Sequence, residues 1–261
     1  MDSNFSDKIT RALTQANRAV APLYSRLIGF VFPPQCVICE QLHESEDYFI
    51  CGRCRHSLLK YDSPYCPACH QKLDFGKERC AVCRTRSPVS KVVAVGDFDD
   101  ILRPLIHAYK YQGVVPIGNF LGTLLAEQFR QFELSDKYDL IIPIPLHPSR
   151  ERKRGFNQSR IIAECLADNL EIDCDSASLV RIKKTRTQTG LNREQRLDNI
   201  RDAFALSREV RCDGMNIMLV DDVTTTGATS VESAKILRKA GAKSITLGVI
   251  AAAGPDDINL F

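Results

Sequence analysis

The chain has 261 residues, of which 44% are hydrophobic and 26% are charged, as is typical of a globular protein with one large domain or with a medium and a small domain. Its formal net charge of +3 is too small to identify a polyanionic partner. No apolar run approaches the roughly 18 residues of a membrane span, and the N-terminus lacks the pattern of a signal peptide, so a cytoplasmic protein is expected.

Residues 1–33 form the first predicted segment, an amphipathic helix. Apolar residues recur there at steps of three and four, and most basic residues lie off this stripe. Pro22 predicts a kink or a break, and Pro33 and Pro34 end the helix. Such a helix can dock on its own protein, which we favour, or associate weakly with a membrane surface. The apolar stripe consists of Ile9, Leu13, Ala16, Val20, Leu23 and Leu27.

Residues 34–87 form a predicted zinc module with four C-x-x-C pairs. A reducing cytosol disfavours a disulfide framework, and a thioredoxin-like site needs only one such pair. Two pairs about a dozen residues apart supply the four thiolates of a tetrahedral zinc site, so two ions are expected. Sequential and cross-braced pairing both fit the spacing. The eight predicted ligands are Cys36, Cys39, Cys51, Cys54, Cys66, Cys69, Cys80 and Cys83.

Both predicted zinc ions are expected to be structural. Four thiolates leave no open coordination position for catalysis. A segment of this length also buries little apolar surface, so the metal is expected to hold the fold together.

Residues 88–261 show alternating strands and helices, which predicts an α/β domain with a parallel sheet and right-handed crossovers. Ligands of such sheets bind outside the carboxyl ends of the strands. The predicted strands are KVVAVGDF, DLIIPIPL, MNIMLV and KSITLGVIAA, and the predicted helices are DILRPLIHAYKYQG, PIGNFLGTLLAEQF, NQSRIIAECLADNL and ATSVESAKILRKAG.

The stretch IMLVDDVTTTGAT predicts a site for a ribose 5-phosphate unit. Met215–Val220 reads as a buried strand, with Asp221 and Asp222 at its end and a turn at 224–229 before a helix. A helix start favours a phosphate, and the absence of lysine argues against a nucleoside-triphosphate P-loop. Two carboxylates can accept hydrogen bonds from ribose hydroxyls or hold Mg²⁺. Helix capping alone would need one acid, and a phosphoacceptor domain would carry its acids after the first strand.

These residues resemble the phosphoribosyl pyrophosphate (PRPP) motif of type I phosphoribosyltransferases. FPPQCVIC, LIHAYKYQG, IPIPLHPSRERKRGFNQS and KTRTQTGLNREQRLDNIRDAF narrow the resemblance to the ComF family, over about residues 28–250. The resemblance implies a zinc-binding module before a phosphoribosyltransferase-like domain. It also implies a role in DNA uptake during natural transformation and in handling incoming single strands.

The resemblance also implies roles for individual residues, many of them in two basic stretches, 147–160 and 181–201. The first would be the loop that binds pyrophosphate, and the second would be the flexible loop that closes over PRPP. Lys110 and His147 are secondary candidates. The predicted catalytic residues are Asp221, Asp222, Lys184 and Arg186; the predicted PRPP-binding residues are Asp221, Asp222, Thr224, Thr225, Thr226, Gly227, Ala228, Thr229, Arg150, Arg154 and Gln188.

Two classes of function are compatible with this pattern. The first is an enzyme that uses Mg²⁺ and transfers the phosphoribosyl group of PRPP to an unknown acceptor, the alternative being a nucleobase or nucleotide unrelated to DNA uptake. The second is a PRPP-sensing protein that binds nucleic acid without turnover. The expected cofactors are two zinc ions and Mg²⁺ with PRPP. The candidate partners are PRPP, single-stranded DNA and proteins of the DNA-uptake machinery.

Overall fold

The computed structural model describes residues 34–45, 47–58, 65–68, 73, 87–132, 134, 137–185, 193–207 and 212–253. The predicted N-terminal helix lies outside these residues. So do five predicted site residues: Cys69, Cys80, Cys83, Arg186 and Gln188. The chain divides into two compact units, Met1–Ser57 and Leu58–Phe261. This division falls inside the predicted zinc module, and the domain boundaries predicted at residues 33 and 87 stay predictions.

The described part of the first unit is a short turn structure that ends in a helix. Gln35 and Leu42 pair across a turn, where the Cys36 N–H donates to the Gln41 carbonyl at 2.9 Å. Helix α1, Gly52–Ser57, follows and brings in Cys54. Ile50 is buried, whereas Leu42 and Tyr48 are exposed. So few buried apolar residues supply little hydrophobic stabilisation, which agrees with a metal-held module.

The second unit is built on a parallel four-stranded sheet with the strand order β1-β6-β5-β2. Its strands are β1 (Lys91–Asp97), β2 (Leu140–Pro143), β5 (Asn216–Thr224) and β6 (Ser244–Ala252), and a separate antiparallel pair is formed by β3 (Leu179–Arg181) and β4 (Phe204–Leu206). The four strands of the parallel sheet are the four predicted ones, so the parallel α/β architecture is confirmed.

Helices cover both faces of the parallel sheet. Alternate residues of β5 and β6, such as Leu219 and Leu247, share a core cluster with Leu237 of α7. A side chain at Gly248 would point to the other face, where it would meet Phe129 of α3 at 3.2 Å. The helices are α2 (Leu102–Tyr111), α3 (Val115–Gln131), α4 (Pro148–Arg154), α5 (Gln158–Leu170), α6 (Arg193–Ile200) and α7 (Ala228–Lys239).

The predicted helix signals are found where the sequence places them. The Asp99 carboxylate accepts the N–H groups of Ile101 and Leu102 at 2.9 and 3.0 Å, at the start of α2. Gly113 and Gly241 follow α2 and α7 with positive φ angles of 69° and 97°. No helix in the described ranges is long and apolar enough to cross a membrane.

Two predictions about local structure need correction. Strand β5 continues past Val220 to Thr224, because β6 is long enough to pair with it as far as Ala252. The two acids therefore lie within a paired strand. The basic stretch 147–160 is not a loop, since it forms α4 and the first turn of α5, joined at Gly155. The pair β3–β4 and the helices α1, α4 and α6 were not predicted.

Candidate functional site

Four cysteines of the first unit form a metal-binding cluster. The sulfur atoms of Cys36, Cys39, Cys51 and Cys54 all lie within 4.8 Å of one another. The Cys39 and Cys51 sulfurs are 3.7 Å apart, as suits neighbouring ligands of one tetrahedral ion. A hydrogen bond from the Gln41 backbone lowers the pKa of the Cys39 thiol to about 6, which favours the thiolate that zinc requires. The first two C-x-x-C pairs thus lie in one cluster and can bind the same ion, as sequential pairing requires.

The second predicted zinc site cannot be assembled from the described residues. Cys66 is buried, and its predicted partners Cys69, Cys80 and Cys83 lie outside the described part of the chain. The second ion stays a prediction.

Asp221 and Asp222 lie side by side near the carboxyl end of β5, and the two carboxylates have different partners. Asp221 Oδ1 accepts hydrogen bonds from Ser159 Oγ at 2.8 Å and from the Asp222 N–H at 2.9 Å. Burial and the neighbouring Asp222 carboxylate raise the pKa of Asp221 to about 7. Charge at Asp221 therefore costs free energy until a cation or a hydrogen-bond donor arrives.

This cost predicts a gain in stability when Asp221 is neutralised. A carboxyl pKa raised from 3.8 in the unfolded chain to about 7 stabilises the folded protein at low pH, and this contribution is lost as the pH rises through 7. Asp221→Asn should therefore raise the free energy of unfolding at pH 8 by about 1–3 kcal/mol and leave it nearly unchanged at pH 4. Thermal unfolding of the unliganded protein at both pH values checks this. Asp100→Asn is the control, because the Asp100 side chain is exposed. Equal changes in the free energy of unfolding for Asp221→Asn at both pH values would contradict a raised pKa of Asp221 as the cause.

Lys110 is the direct partner of Asp222. Its Nζ lies 3.0 Å from Asp222 Oδ1, and the two side chains are only 13% and 14% exposed. The sequence offered Lys110 only as a secondary candidate, because more than a hundred positions separate it from the acids. Helix α2 brings it to the carboxyl edge of the sheet. A buried ammonium at this point compensates the second negative charge.

The turn after β5 leads directly into the start of α7. Strand β5 ends at Thr224, whose carbonyl accepts the Ala253 N–H at 2.8 Å, and α7 begins at Ala228. Gly227 lies between them with a φ of 71°, a conformation that disfavours other residues. Thr225 and Thr229 are half-buried, whereas Thr226 and Ala228 are buried. The twelve-residue helix α7 directs its positive N-terminal end to this turn.

Three arginines, Arg150, Arg154 and Arg181, lie near the acids. Among the described contacts, none of them donates a hydrogen bond to a carboxylate. Arg150 Nη2 donates to the Thr185 carbonyl at 3.0 Å, and Arg181 Nη2 donates to the Thr185 hydroxyl at 2.5 Å. Burial and the charge of Arg150 lower the pKa of Arg181 to about 10, and burial and the charge of Arg154 lower that of Arg150. Such mutual repulsion among half-buried cations favours a bound anion.

Arg181 is a residue that the sequence analysis did not select. It is buried, at 7% exposure, and its guanidinium stacks over the Phe204 ring with 5.4 Å to the centroid. Its Nε atom has no hydrogen-bond partner within the described ranges. Arg181 takes a buried position of the short strand Leu179–Arg181. Burying a guanidinium costs free energy unless its charge has a partner, so an arginine at such a position is a signal of a functional residue.

The other predicted cations have different surroundings. Arg154 donates to Gln158 Oε1 at 2.7 Å. Lys184 is exposed, next to the buried Thr185. His147 caps α4 by accepting the Ser149 N–H at 3.2 Å, which gives it a structural role at the start of that helix.

Two family models match the chain. A double zinc ribbon domain matches residues 27–85, and a phosphoribosyl transferase domain matches residues 156–258. The second match agrees with the parallel sheet and with the position of the acids on β5.

Curated relatives match most of the chain. Competence protein F of Haemophilus influenzae is 32% identical, over 84% of this chain and 97% of the relative. DNA utilization protein YhgH of Escherichia coli is 31% identical, over 82% and 94%. Competence protein ComFC of Bacillus subtilis is 30% identical, over 75% and 80%.

Proposed function

The chain belongs to the ComF family of competence protein F and ComFC, and from this premise we propose that it is a PRPP-binding, phosphoribosyltransferase-like protein. Its proposed role is DNA uptake in natural transformation and the handling of incoming single-stranded DNA. The names of the relatives, competence and DNA utilization proteins, favour this role over base salvage unrelated to DNA. A cytoplasmic location and contacts with proteins of the uptake machinery belong to the same proposal.

The observation that carries the proposal is the meeting of three groups at the carboxyl edge of the sheet. The paired acids lie near the end of β5, the Gly227 turn leads into α7, and the arginines 150, 154 and 181 lie close by. PRPP presents a ribose, a 5-phosphate and a pyrophosphate, which match these groups in kind. The carboxyl edge is also where α/β sheets bind their ligands.

Each part of PRPP has a chemical counterpart. The 5-phosphate would accept hydrogen bonds at the start of α7, with the hydroxyls of Thr225 and Thr229 beside it. The ribose hydroxyls would donate to Asp221 and Asp222. Pyrophosphate would lie against the guanidiniums of Arg150 and Arg181. The two carboxylates offer the oxygen ligands that Mg²⁺ prefers, and a bound Mg²⁺ would offset the negative charge of the pyrophosphate.

Lys110 and Ser159 would prepare this site. Lys110 neutralises Asp222 before the ligand binds, and Ser159 fixes the Asp221 carboxylate by donating to Oδ1. Phosphoribosyl transfer develops positive charge on the ribose and negative charge on the leaving pyrophosphate. Carboxylates near the sugar and guanidiniums near the pyrophosphate would stabilise both, and such placed charges are a main source of catalysis.

The proposal is tested by calorimetry of the full-length protein with Mg²⁺ and PRPP. We expect saturable binding, stronger than the binding of ribose 5-phosphate or of pyrophosphate alone, because only PRPP meets all three groups. Release of pyrophosphate in the presence of bases, nucleotides and short DNA then separates an enzyme from a sensor. Absence of PRPP binding to zinc-replete protein would reject the proposal in both forms.

Arg150→Gln should weaken PRPP binding by roughly 10- to 100-fold, because a charge-assisted hydrogen bond to pyrophosphate is lost. The matched control is Arg160→Gln, which removes the same charge where Arg160 pairs with Glu151 at 3.4 Å. We expect the control to bind PRPP within about threefold of the unchanged chain. Equal losses in both variants would indicate a general effect of charge and argue against a pyrophosphate contact.

A further inference from the structure

Helix α2 presents an exposed aromatic ring directly after Lys110, the ion-pair partner of Asp222. Residues 107, 110 and 111 lie on one face of the helix, since their spacing is three and four positions. Tyr111 is 64% exposed, and its ring contacts that of His107 at a centroid distance of 4.9 Å. A tyrosine so far out of the core contributes little to packing.

The neighbours of Tyr111 connect it to the proposed PRPP site. The Arg154 guanidinium lies 5.5 Å from the centre of the Tyr111 ring. The preceding residue, Lys110, reaches Asp222 with a 3.0 Å ion pair. The ring therefore belongs to the residue that follows the ion-pair partner of Asp222, and it has the Arg154 guanidinium beside it.

Tyr109, two residues earlier, shows what a structural tyrosine looks like in this helix. It is buried, its hydroxyl donates to the Gln158 carbonyl at 2.9 Å, and its ring meets Phe156 at 5.4 Å. Tyr111 has neither burial nor a hydrogen bond among the contacts described for it. Tyr109 is thus a core residue, whereas Tyr111 is a surface residue.

We propose that the Tyr111 ring is a stacking platform for an unpaired nucleobase, with Arg154 as the cation for the attached phosphate. The inference rests on the proposed function, because the base would lie beside the PRPP site. Aromatic rings stack on any base, whatever the sequence, and surrounding cations follow the phosphates. The base can belong to a mononucleotide or to a single strand of DNA.

The chain contains no tryptophan, so Tyr111→Trp creates a single fluorescent probe at the proposed platform. A thymidine decamer should quench this fluorescence, because a base stacks on the indole. An abasic decamer with the same phosphates should leave it nearly unchanged. Thymidine monophosphate distinguishes the sources: quenching by it at similar concentration indicates a mononucleotide site, and quenching by the decamer alone indicates a strand. Equal quenching by the abasic strand would overturn the proposal.

Affinity measurements supply the second test. Tyr111→Leu should weaken binding of the thymidine decamer by roughly 5- to 150-fold, the range for loss of one stacked base, while Tyr111→Phe should stay within about threefold. Tyr48→Leu is the control, since Tyr48 is also exposed, at 56%, but belongs to the first unit. A loss for Tyr48→Leu equal to or larger than that for Tyr111→Leu would move the platform to the zinc module and overturn the assignment.

Calorimetry with Mg²⁺ and PRPP separates this inference from the proposed function. PRPP affinity of Tyr111→Leu should fall by no more than about fivefold, the value of a lost exposed contact with Arg154. If Tyr111→Leu binds both PRPP and the thymidine decamer as the unchanged chain does, the stacking platform is rejected and the proposed function stands. Absence of PRPP binding in the unchanged chain rejects the proposed function instead.

Discussion

Replacing Asp221 and Asp222 together by asparagine is expected to weaken binding of Mg²⁺ and PRPP at least about 100-fold. The two carboxylates are the proposed acceptors for the ribose hydroxyls and ligands for the metal, and amides replace neither charge. The hydrogen bonds from Ser159 and from the Asp222 N–H can still be made to an asparagine oxygen, so the fold should persist. Calorimetry at saturating Mg²⁺ gives the result.

The control for this variant is Asp139→Asn. Asp139 accepts the Asn216 N–H at 2.7 Å, at the opposite end of β5 from the two acids. It removes one carboxylate next to the first residue of β5, away from the site, and should leave PRPP affinity within about twofold. Unchanged affinity in the double variant would mean that the acids serve the fold and not the ligand. The gain in stability at pH 8 predicted for Asp221→Asn alone distinguishes a functional acid from a structural one at that position.

Removal of zinc is expected to unfold the described part of the first unit. Structural zinc sites in small peptides contribute about 10–16 kcal/mol to folding, far more than the few buried apolar residues of this segment provide. A chelator should therefore make the segment around residues 34–57 sensitive to proteases. Cys51→Ser should have the same effect without a chelator, because it removes one of the four clustered ligands.

Cys165→Ser is the control for this experiment, since Cys165 lies on α5 and its thiol donates to the Asn119 carbonyl at 3.0 Å. That change should leave the zinc content unaltered. Metal analysis of the reduced, unchanged chain should give two zinc ions if the second set of cysteines also binds. One ion would confine binding to the Cys36 cluster, and no zinc at all would contradict the module.

The sequence predicted the parallel sheet because its strands are short apolar runs, each bounded by turn residues and alternating with helical patterns. It also placed Asp221, Asp222 and Gly227 correctly at the carboxyl edge, since these residues are neighbours along the chain. It could not rank Lys110 above the other cations, because the ion pair with Asp222 depends on how α2 crosses the sheet.

The helical structure of the basic stretch 147–160 was not predicted, although parts of its sequence indicate it. High charge and the resemblance to a pyrophosphate loop favoured an irregular segment. The helix signals were nevertheless present: a capping residue at His147, a proline at the first helical position and a glycine after the last. Gly155 adopts a φ of 88°, as expected for such a stop. The proline at the start and the glycine at the end therefore predict this helix, whereas the high charge of the stretch does not predict its backbone structure.

The strand order β1-β6-β5-β2 has a consequence for how the protein is made. Strands β1 and β2 form the edges of the sheet, and their partners in it, β6 and β5, come later in the chain. While the ribosome is still synthesising this region, the apolar residues of β1, α2 and α3 have no sheet to cover, and such exposed surface attracts chaperones and invites aggregation. The Cys36 cluster, in contrast, is complete as soon as Cys54 emerges, so the segment that holds it can fold before β5 and β6 of the second unit are synthesised.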